Sequence, residues 1–338
     1  MKHILPSLWG PPADASVRAT LAGWIQLRVA IPATALRWGA LALLAGLAAL
    51  IGSIGAEPNA PRVAPIAATK PGRSDAAQQV VREAAARLAR YTSISCRMRC
   101  RGEIFGKRIL GNGEYRQLAG SSNRLRWDTK LQVGDAIVSV QQIADGKYLW
   151  INRRKPPATT LSRVELARVV TAERAAQTTK LPASGQALGQ MGLAAMGGLP
   201  KLVSSLDRGF GFSRLNKTQL GETPVFTVRG DWTPAVLAML APDQQAAAKA
   251  GRPIDWNQVP EQVPDHVVLA VGCTDYFPYR VEYRRTTGEH YKVLLVIELY
   301  DVQCNVPLEQ TLFSYQPGTT PIIDITDEFI AGLLPPAG

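Results

Sequence analysis

Ser93-Ile94-Ser95-Cys96-Arg97-Met98-Arg99-Cys100-Arg101 is the stretch on which the reading of this chain turns. Ile94, Cys96, Met98 and Cys100 fall on alternate positions and Ser95, Arg97, Arg99 and Arg101 on the others, the period of a strand with one apolar and one wetted face. Immediately upstream the period is different. Val80, Val81, Ala84, Leu88 and Tyr91 recur at helical spacing while Glu83, Arg87 and Arg90 lie largely outside that stripe, so Asp75 is read as the cap of an amphipathic helix. Downstream, residues 108–118, 123–132, 135–143 and 147–153 repeat the strand pattern, with turn formers at Gly111-Asn112-Gly113, Ser121-Ser122-Asn123, Gly134-Asp135 and Asp145-Gly146. Helices long enough to cross over between parallel strands are missing here, so the order predicts an antiparallel meander.

Beyond the meander the pattern changes twice. Residues 162–176 have a helical pattern, and 186–206 carry Leu188, Met191, Met196, Leu199 and Leu202 among Gly189, Gly192, Gly197 and Gly198. Interior glycines cost a helix about 1 kcal/mol each relative to alanine, so this segment is either a movable cover or a buried helix packed closely at its glycines. Strands resume at 209–216 and 224–231, and Thr233-Pro234 opens a further helix to about Lys249. Residues 266–271, 279–285 and 291–303 form a second meander. In its last strand Tyr291, Val293, Leu295, Ile297 and Leu299 share one face and Leu294 and Val296 occupy the other, so the sheet needs a cover on both sides.

The N-terminus points to export. Trp38 to Ala56 is an uncharged run dense in Leu and Ala. At about 1.5 Å per residue it reaches across a bilayer core of roughly 30 Å, and the small residues Ser53-Ile54-Gly55-Ala56 also suit a cleavage site. A cleaved signal and a retained anchor both stay open, and either places residues 1–37 in the cytoplasm and the rest outside the membrane. Residues 57–74, with Pro58, Pro61, Pro65 and Pro71, read as a linker. Four cysteines, Cys96, Cys100, Cys273 and Cys304, follow in the exported part, an even count that permits disulfides. On a strand Cys96 and Cys100 are about 13 Å apart and do not pair with each other. Bridges from the first strand to the last meander, a Cys273–Cys304 bridge and four free thiols remain open.

The chain carries 38 Lys+Arg against 27 Asp+Glu, yet only 19% of its 338 residues are charged and 46% are hydrophobic. That is the balance of a packed body. Its basic residues are scattered over strands and helices rather than gathered on a binding motif, so no nucleic-acid partner is expected. Three histidines leave little material for metal or acid-base sites. There is no nucleophile elbow, P-loop, H-E-x-x-H or EF-hand motif. His266 and His290 read as surface histidines, the G-x-G at Gly209-Phe210-Gly211 as structural, and Asp324, Asp327 and Glu328 as helix-capping and solvated carboxylates. The expectation is no enzyme, no catalytic residue, no cofactor and no metal.

The order of these parts resembles the outer-membrane lipoprotein carrier (LolA-like) family. The resemblance rests on Gly113-Glu114-Tyr115, Leu125-Arg126-Trp127, the turn Ala144-Asp145-Gly146-Lys147-Tyr148-Leu149-Trp150, Leu299-Tyr300-Asp301-Val302-Gln303-Cys304-Asn305 and Leu312-Phe313-Ser314-Tyr315-Gln316-Pro317-Gly318. It implies an α+β fold: a strongly curved, unclosed antiparallel β-sheet, or half-barrel, with helices covering its concave face and holding acyl chains of lipoproteins or lipids. The expected domain spans 75–330, with a helical insertion around 155–206 and a tail at 331–338. Its expected lining is Ile94, Met98, Trp127, Val138, Val140, Leu149, Ile151, Met191, Met196, Val281, Tyr283, Leu295 and Ile297, although parity alone does not say which face of each strand is concave. The arginine with which the family latches its lid is replaced by Leu118-Ala119-Gly120-Ser121, and Arg124 and Arg126 are offset from it. The expected function is an exported lipid- or lipoprotein-binding carrier. The alternative is a membrane-tethered lipid-sensing or interaction module of the cell envelope, with a protein partner.

Overall fold

In the computed structural model, residues 75–104, 106–119, 124–178 and 197–333 are described. Helix α1 (Asp75–Arg90) opens the body, burying Ala77, Val80, Val81, Ala84 and Leu88 and closing an i,i+4 pair between Glu83 and Arg87. A meander follows: β1 (Ser93–Ile104), β2 (Lys107–Leu118), β3 (Arg124–Val133), β4 (Ala136–Ala144), β5 (Tyr148–Lys155) and β6 (Ala158–Glu165). Helix α2 (Leu166–Thr178) and helix α3, described over 197–209, lead to β7 (Phe210–Leu220) at the opposite edge. The chain then returns through β8 (Thr223–Trp232), β9 (His266–Gly272) and β10 (Pro278–Thr287) to β11 (His290–Cys304), which pairs with β1.

Two meanders are thus joined at the β1–β11 seam and, with the short β12 (Ile322–Asp324), make one twelve-stranded sheet, β12-β6-β5-β4-β3-β2-β1-β11-β10-β9-β8-β7. Its edges, β7 and β12, do not pair, so the curved sheet stays unclosed, as the resemblance implies. The seam is bent by a bulge opposite Cys96, where Asp301 takes a positive φ of 50°. One strand departs from the antiparallel expectation: β12 (Ile322–Asp324) runs parallel to β6. It gets there because residues 305–321 cross back over the sheet as a strap, and a strand delivered that way need not reverse direction.

The register sorts the faces. Directly opposed residues share a face, so the pairs Ile94↔Gln117, Gln117↔Leu125, Leu125↔Ala144 and Ala144↔Leu149 trace one continuous surface through the first meander. Cys100↔Ile297, Ile297↔Val281, Val281↔Leu269 and Leu269↔Val228 continue it through the second. We call this the inner face, because the helices lie on it. Residues 197–199 of α3 are hydrogen-bonded to Tyr115 and Gln117 on this face, and α1 lies beside α3, joined to it by Gln78 Nε2 donating to Asp207 Oδ1 at 2.6 Å.

Several local expectations are corrected. Gly111-Asn112-Gly113 is no turn but the middle of β2, where Cβ atoms at Gly111 and Gly113 would collide with the neighbouring strand β3. The insertion at 155–206 is not helical at its start: residues 158–165 form β6, and the helix expected from 162 begins at Leu166. The helix expected from Pro234 to Lys249 ends at Leu240 and resumes as a 3-10 turn and a five-residue helix, because Pro242 offers no N–H to continue it. His266 is not on the surface. It is 3% exposed and its Nδ1 lies 2.5 Å from Asp265 Oδ1. Burial works against the Asp265 charge, but hydrogen bonds from His266 and Thr286 outweigh it and hold the carboxyl below its usual range. Asp324 caps the last helix, Thr326–Leu333, accepting from the Thr326 N–H at 3.1 Å.

Among the described residues no helix is long and apolar enough to cross a membrane. The uncharged run 38–56, the linker 57–74, and Met191 and Met196 lie outside the described residues.

Candidate functional site

The inner face is built from the alternation that marks the strands. Ile94 and Met98 on β1, Trp127 on β3, Val138 and Val140 on β4, Leu149 and Ile151 on β5, Val281 and Tyr283 on β10, and Leu295 and Ile297 on β11 all fall on it by register. The structure therefore brings every described strand residue of the expected lining to one surface. Between them, Gly111 and Gly113 present no side chain, and Leu131 and Cys100 close over the first of these gaps.

Polar groups, among them Arg285 and the unpartnered Tyr283 hydroxyl, interrupt the apolar surface, and two groups of them bear on the site. The first joins sheet to helix. The Tyr115 hydroxyl accepts from the Leu199 N–H at 2.9 Å and donates to Gln117 Oε1 at 2.5 Å, while Gln117 Nε2 donates to the Gly197 carbonyl at 3.3 Å. Burial pushes the Tyr115 phenol well above its ordinary pKa, which keeps the hydroxyl proton in place for Gln117. Gly198, at a φ of +69° and in contact with both side chains, is what lets α3 come this close to the sheet.

The second interruption crosses β3, β4 and β5. Trp127 stands opposite Gln142, and Arg153 stands opposite Val140, one inner position along β4 from Gln142. Trp127 Nε1, Gln142 Oε1 and Arg153 Nε are all buried without a hydrogen-bond partner. A second arginine on the same face, Arg285 on β10, is fully engaged: its guanidinium donates to the Val263 and Val259 carbonyls at 2.9 Å and to the Trp256 carbonyl, and stacks on the Trp256 ring. It fastens the segment after α-helical residues 245–249 to the sheet.

The outer face has a different character. Arg99, Glu298, Arg280, Glu282 and Arg284 form a ladder of ion pairs across β1, β11 and β10. Arg126 belongs to this face, paired with Asp128 at 2.6 Å and donating to the Leu312 carbonyl, so it takes no part in holding a helix to the inner surface. Over β4 to β6 the outer face turns apolar, with Ile143, Trp150 and Leu161 in one cluster, and there the strap covers it. Tyr315 stacks on Trp150 with ring centroids 5.3 Å apart and its hydroxyl receives Asn152 Nδ2 at 3.0 Å. The strap thus covers the apolar outer face of β4 to β6.

All four cysteines are free thiols, so no bridge between the first strand and the last meander is formed. Burial pushes Cys96 up to about 12 and Cys100 up to about 11, leaving both as protonated, apolar members of the inner face. Among the described residues no cluster of His, Cys, Asp and Glu is placed to hold a metal ion.

No family model matches the chain, and no curated protein matches its sequence. Solved structures do. The chain is similar to the lipoprotein LppX of Mycobacterium tuberculosis, at 11% identity and a TM-score of 0.34 over 70% of this chain and 99% of that one. It is similar to LprF of Mycobacterium bovis at 11% identity and a TM-score of 0.36, over 70% and 96%. A LolA superfamily protein of Nitrosomonas europaea matches at 11% identity and a TM-score of 0.24, over 71% and 97%. Scores this low transfer no residue role and no activity.

Sequence reasoning missed Tyr115, Gln117, Gln142 and Arg153. The signal was parity: Gln142 continues the apolar series Val138 and Val140, and Arg153 continues Leu149 and Ile151, each as a polar residue at an inner position.

Proposed function

We propose that this protein is a binding protein of the cell envelope whose inner face holds the apolar chains of lipids or lipoproteins. The observation that carries this reading is the largely apolar inner surface, assembled from both meanders and lying against helices that pack apolar side chains and a few hydrogen bonds onto the sheet. Burial of a chain at about 0.8 kcal/mol per CH₂ gives one acyl chain useful affinity without any specific contact. The uncharged run 38–56 supports an exported location, periplasmic or anchored in the inner membrane. The scarcity of catalytic groups on the inner face favours binding over chemistry.

Native mass spectrometry of the protein released from its own envelope, with N-terminal sequencing of the mature chain, tests this. Co-purifying acylated molecules in stoichiometric amount are expected, and a start near Glu57 would mark a freely diffusing carrier. Protein that carries nothing and takes up no acyl chain from micelles or vesicles would overturn the reading.

A further inference from the structure

We propose that Arg153, with Trp127 and Gln142, forms a receiving site on the inner face for the anionic head of an amphiphile, a carboxylate or a phosphate, whose apolar chain lies on the neighbouring surface. The proposal rests on the lipid-binding reading above and names the class of lipid that this face selects.

Three observations carry it. The first is position. Neighbouring strands are about 4.8 Å apart and residues about 3.3 Å apart along a strand, so the backbones of Trp127 on β3 and Arg153 on β5 stand roughly 12 Å apart on a diagonal, with Gln142 opposite Trp127 and Val140 opposite Arg153. An indole and a guanidinium reaching inward from that spacing can close on one small oxyanion. The second is unmet demand. Buried polar atoms in folded proteins are almost always hydrogen-bonded, yet here the N–H of the indole, the carbonyl of the amide and the Nε–H of the guanidinium are buried and unpartnered on three adjacent strands. Two of them are donors and one is an acceptor, and none is paired with another. The amide between them accepts from a head-group hydroxyl as it stands, or donates once its oxygen and nitrogen are exchanged.

The third observation is charge. Among the described residues, the inner positions of β1 to β6 hold no Asp or Glu, and apart from Lys107 and Lys155 at strand ends Arg153 is their one charged residue. Burial lowers its pKa with no acidic group acting in the other direction. An arginine nevertheless stays protonated, and its planar fork matches carboxylate and phosphate oxygens. Arg285 is the contrast that gives this weight. Where a buried arginine on this face is structural, carbonyls have been placed around it.

The surroundings specify an amphiphile rather than a bare ion. Val138, Val140, Leu149 and Ile151 flank the site on the same strands and are almost fully buried. An ion alone would lose its water to an apolar wall, whereas a head group attached to a chain gains the burial of that chain.

The test is calorimetric titration of the delipidated full chain with oleate, with oleyl alcohol, which has the same chain and no charge, with phosphatidylglycerol in detergent, and with inorganic phosphate, at pH 8. Wild-type protein is expected to bind oleate and phosphatidylglycerol at least about tenfold more tightly than the alcohol, the scale of a charge-assisted hydrogen bond. Arg153→Met should abolish that preference while leaving alcohol binding unchanged, and Arg153→Lys should restore part of it. Equal affinity for oleate and oleyl alcohol in the wild type, a comparison that needs no variant, would overturn the head-group site and leave the lipid-binding reading standing. Phosphate binding as tight as phosphatidylglycerol would overturn the amphiphile assignment. Binding of none of the probes would remove both.

Discussion

Replacing Gly198 by alanine strikes the contact by which α3 is held on the sheet. Two costs add. An L-residue at a φ of +69° loses about 1–2 kcal/mol relative to glycine. The new methyl would also occupy the space of the Tyr115 hydroxyl and Gln117 Oε1, so both side chains must withdraw. Withdrawal breaks the Tyr115–Leu199 and Gln117–Gly197 hydrogen bonds and leaves buried groups unpaired, at about 1–3 kcal/mol. Together Gly198→Ala should cost roughly 3–5 kcal/mol, an order of magnitude that exceeds most single substitutions. Because the contact fastens one helix, part of the loss should surface as local opening. Urea unfolding measures the global part, and amide exchange over 197–209 the local part. The decisive comparison is a double-mutant cycle with Tyr115→Phe, which removes the hydroxyl that alanine would strike. Gly198→Ala should cost less in that background. An unchanged penalty there, or wild-type exchange protection over 197–209, would refute this account of how helix and sheet are joined.

Three further outcomes follow from other parts of the molecule. Tyr315→Ala should release the strap from Trp150 at a cost of about 1–3 kcal/mol, for the lost stacking and the Asn152 hydrogen bond, and Tyr315→Phe should recover most of it; urea midpoints at constant slope decide. Asp324, held near pKa 2 by hydrogen bonds from Thr326 and Arg163, contributes its part fully above the usual aspartate range near 4 and loses it as pH falls toward 2. Amide exchange over 322–333 should therefore accelerate across that window, and Asp324→Asn should flatten the change. Iodoacetamide at pH 8 should label the half-exposed Cys273 well before the buried Cys96 and Cys100; mass mapping that finds a disulfide in envelope-derived protein would contradict the free thiols of the structure.

Much of the sheet was legible because its strands bury one face against helices, which forces apolar residues into a two-residue period. Ile94 to Cys100 is the plainest case, and the boundaries of β1 and of the three long strands of the second meander follow within a residue or two. The failures share a physical cause. β6 and β12 are strands by pairing rather than by pattern: Ile322 to Asp324 is exposed and held by its ladder to Leu161, Ser162 and Arg163, a partner that no local window contains. Gly111-Asn112-Gly113 carries the composition of a turn, and its glycines are needed instead for the close approach of β3. His266 looked like a surface residue because its partner Asp265 is also what a solvated turn would offer.

The polar residues of the inner face were hidden for a subtler reason. A glutamine or an arginine inside a strand is ordinarily assigned to the wetted face, and a single strand cannot contradict that assignment. It is contradicted only when neighbours are brought into register: Gln142 shares its face with Trp127 and Ile151, and Arg153 shares its face with Val140. The same parity that made the apolar residues readable had thus already placed Arg153 among them. A polar residue at an apolar position costs folding free energy unless something meets it, and α1, the strap and the surrounding strands leave Trp127, Gln142 and Arg153 unmet. That mismatch is why the inner face reads as a surface with chemical preference rather than as a plain apolar core.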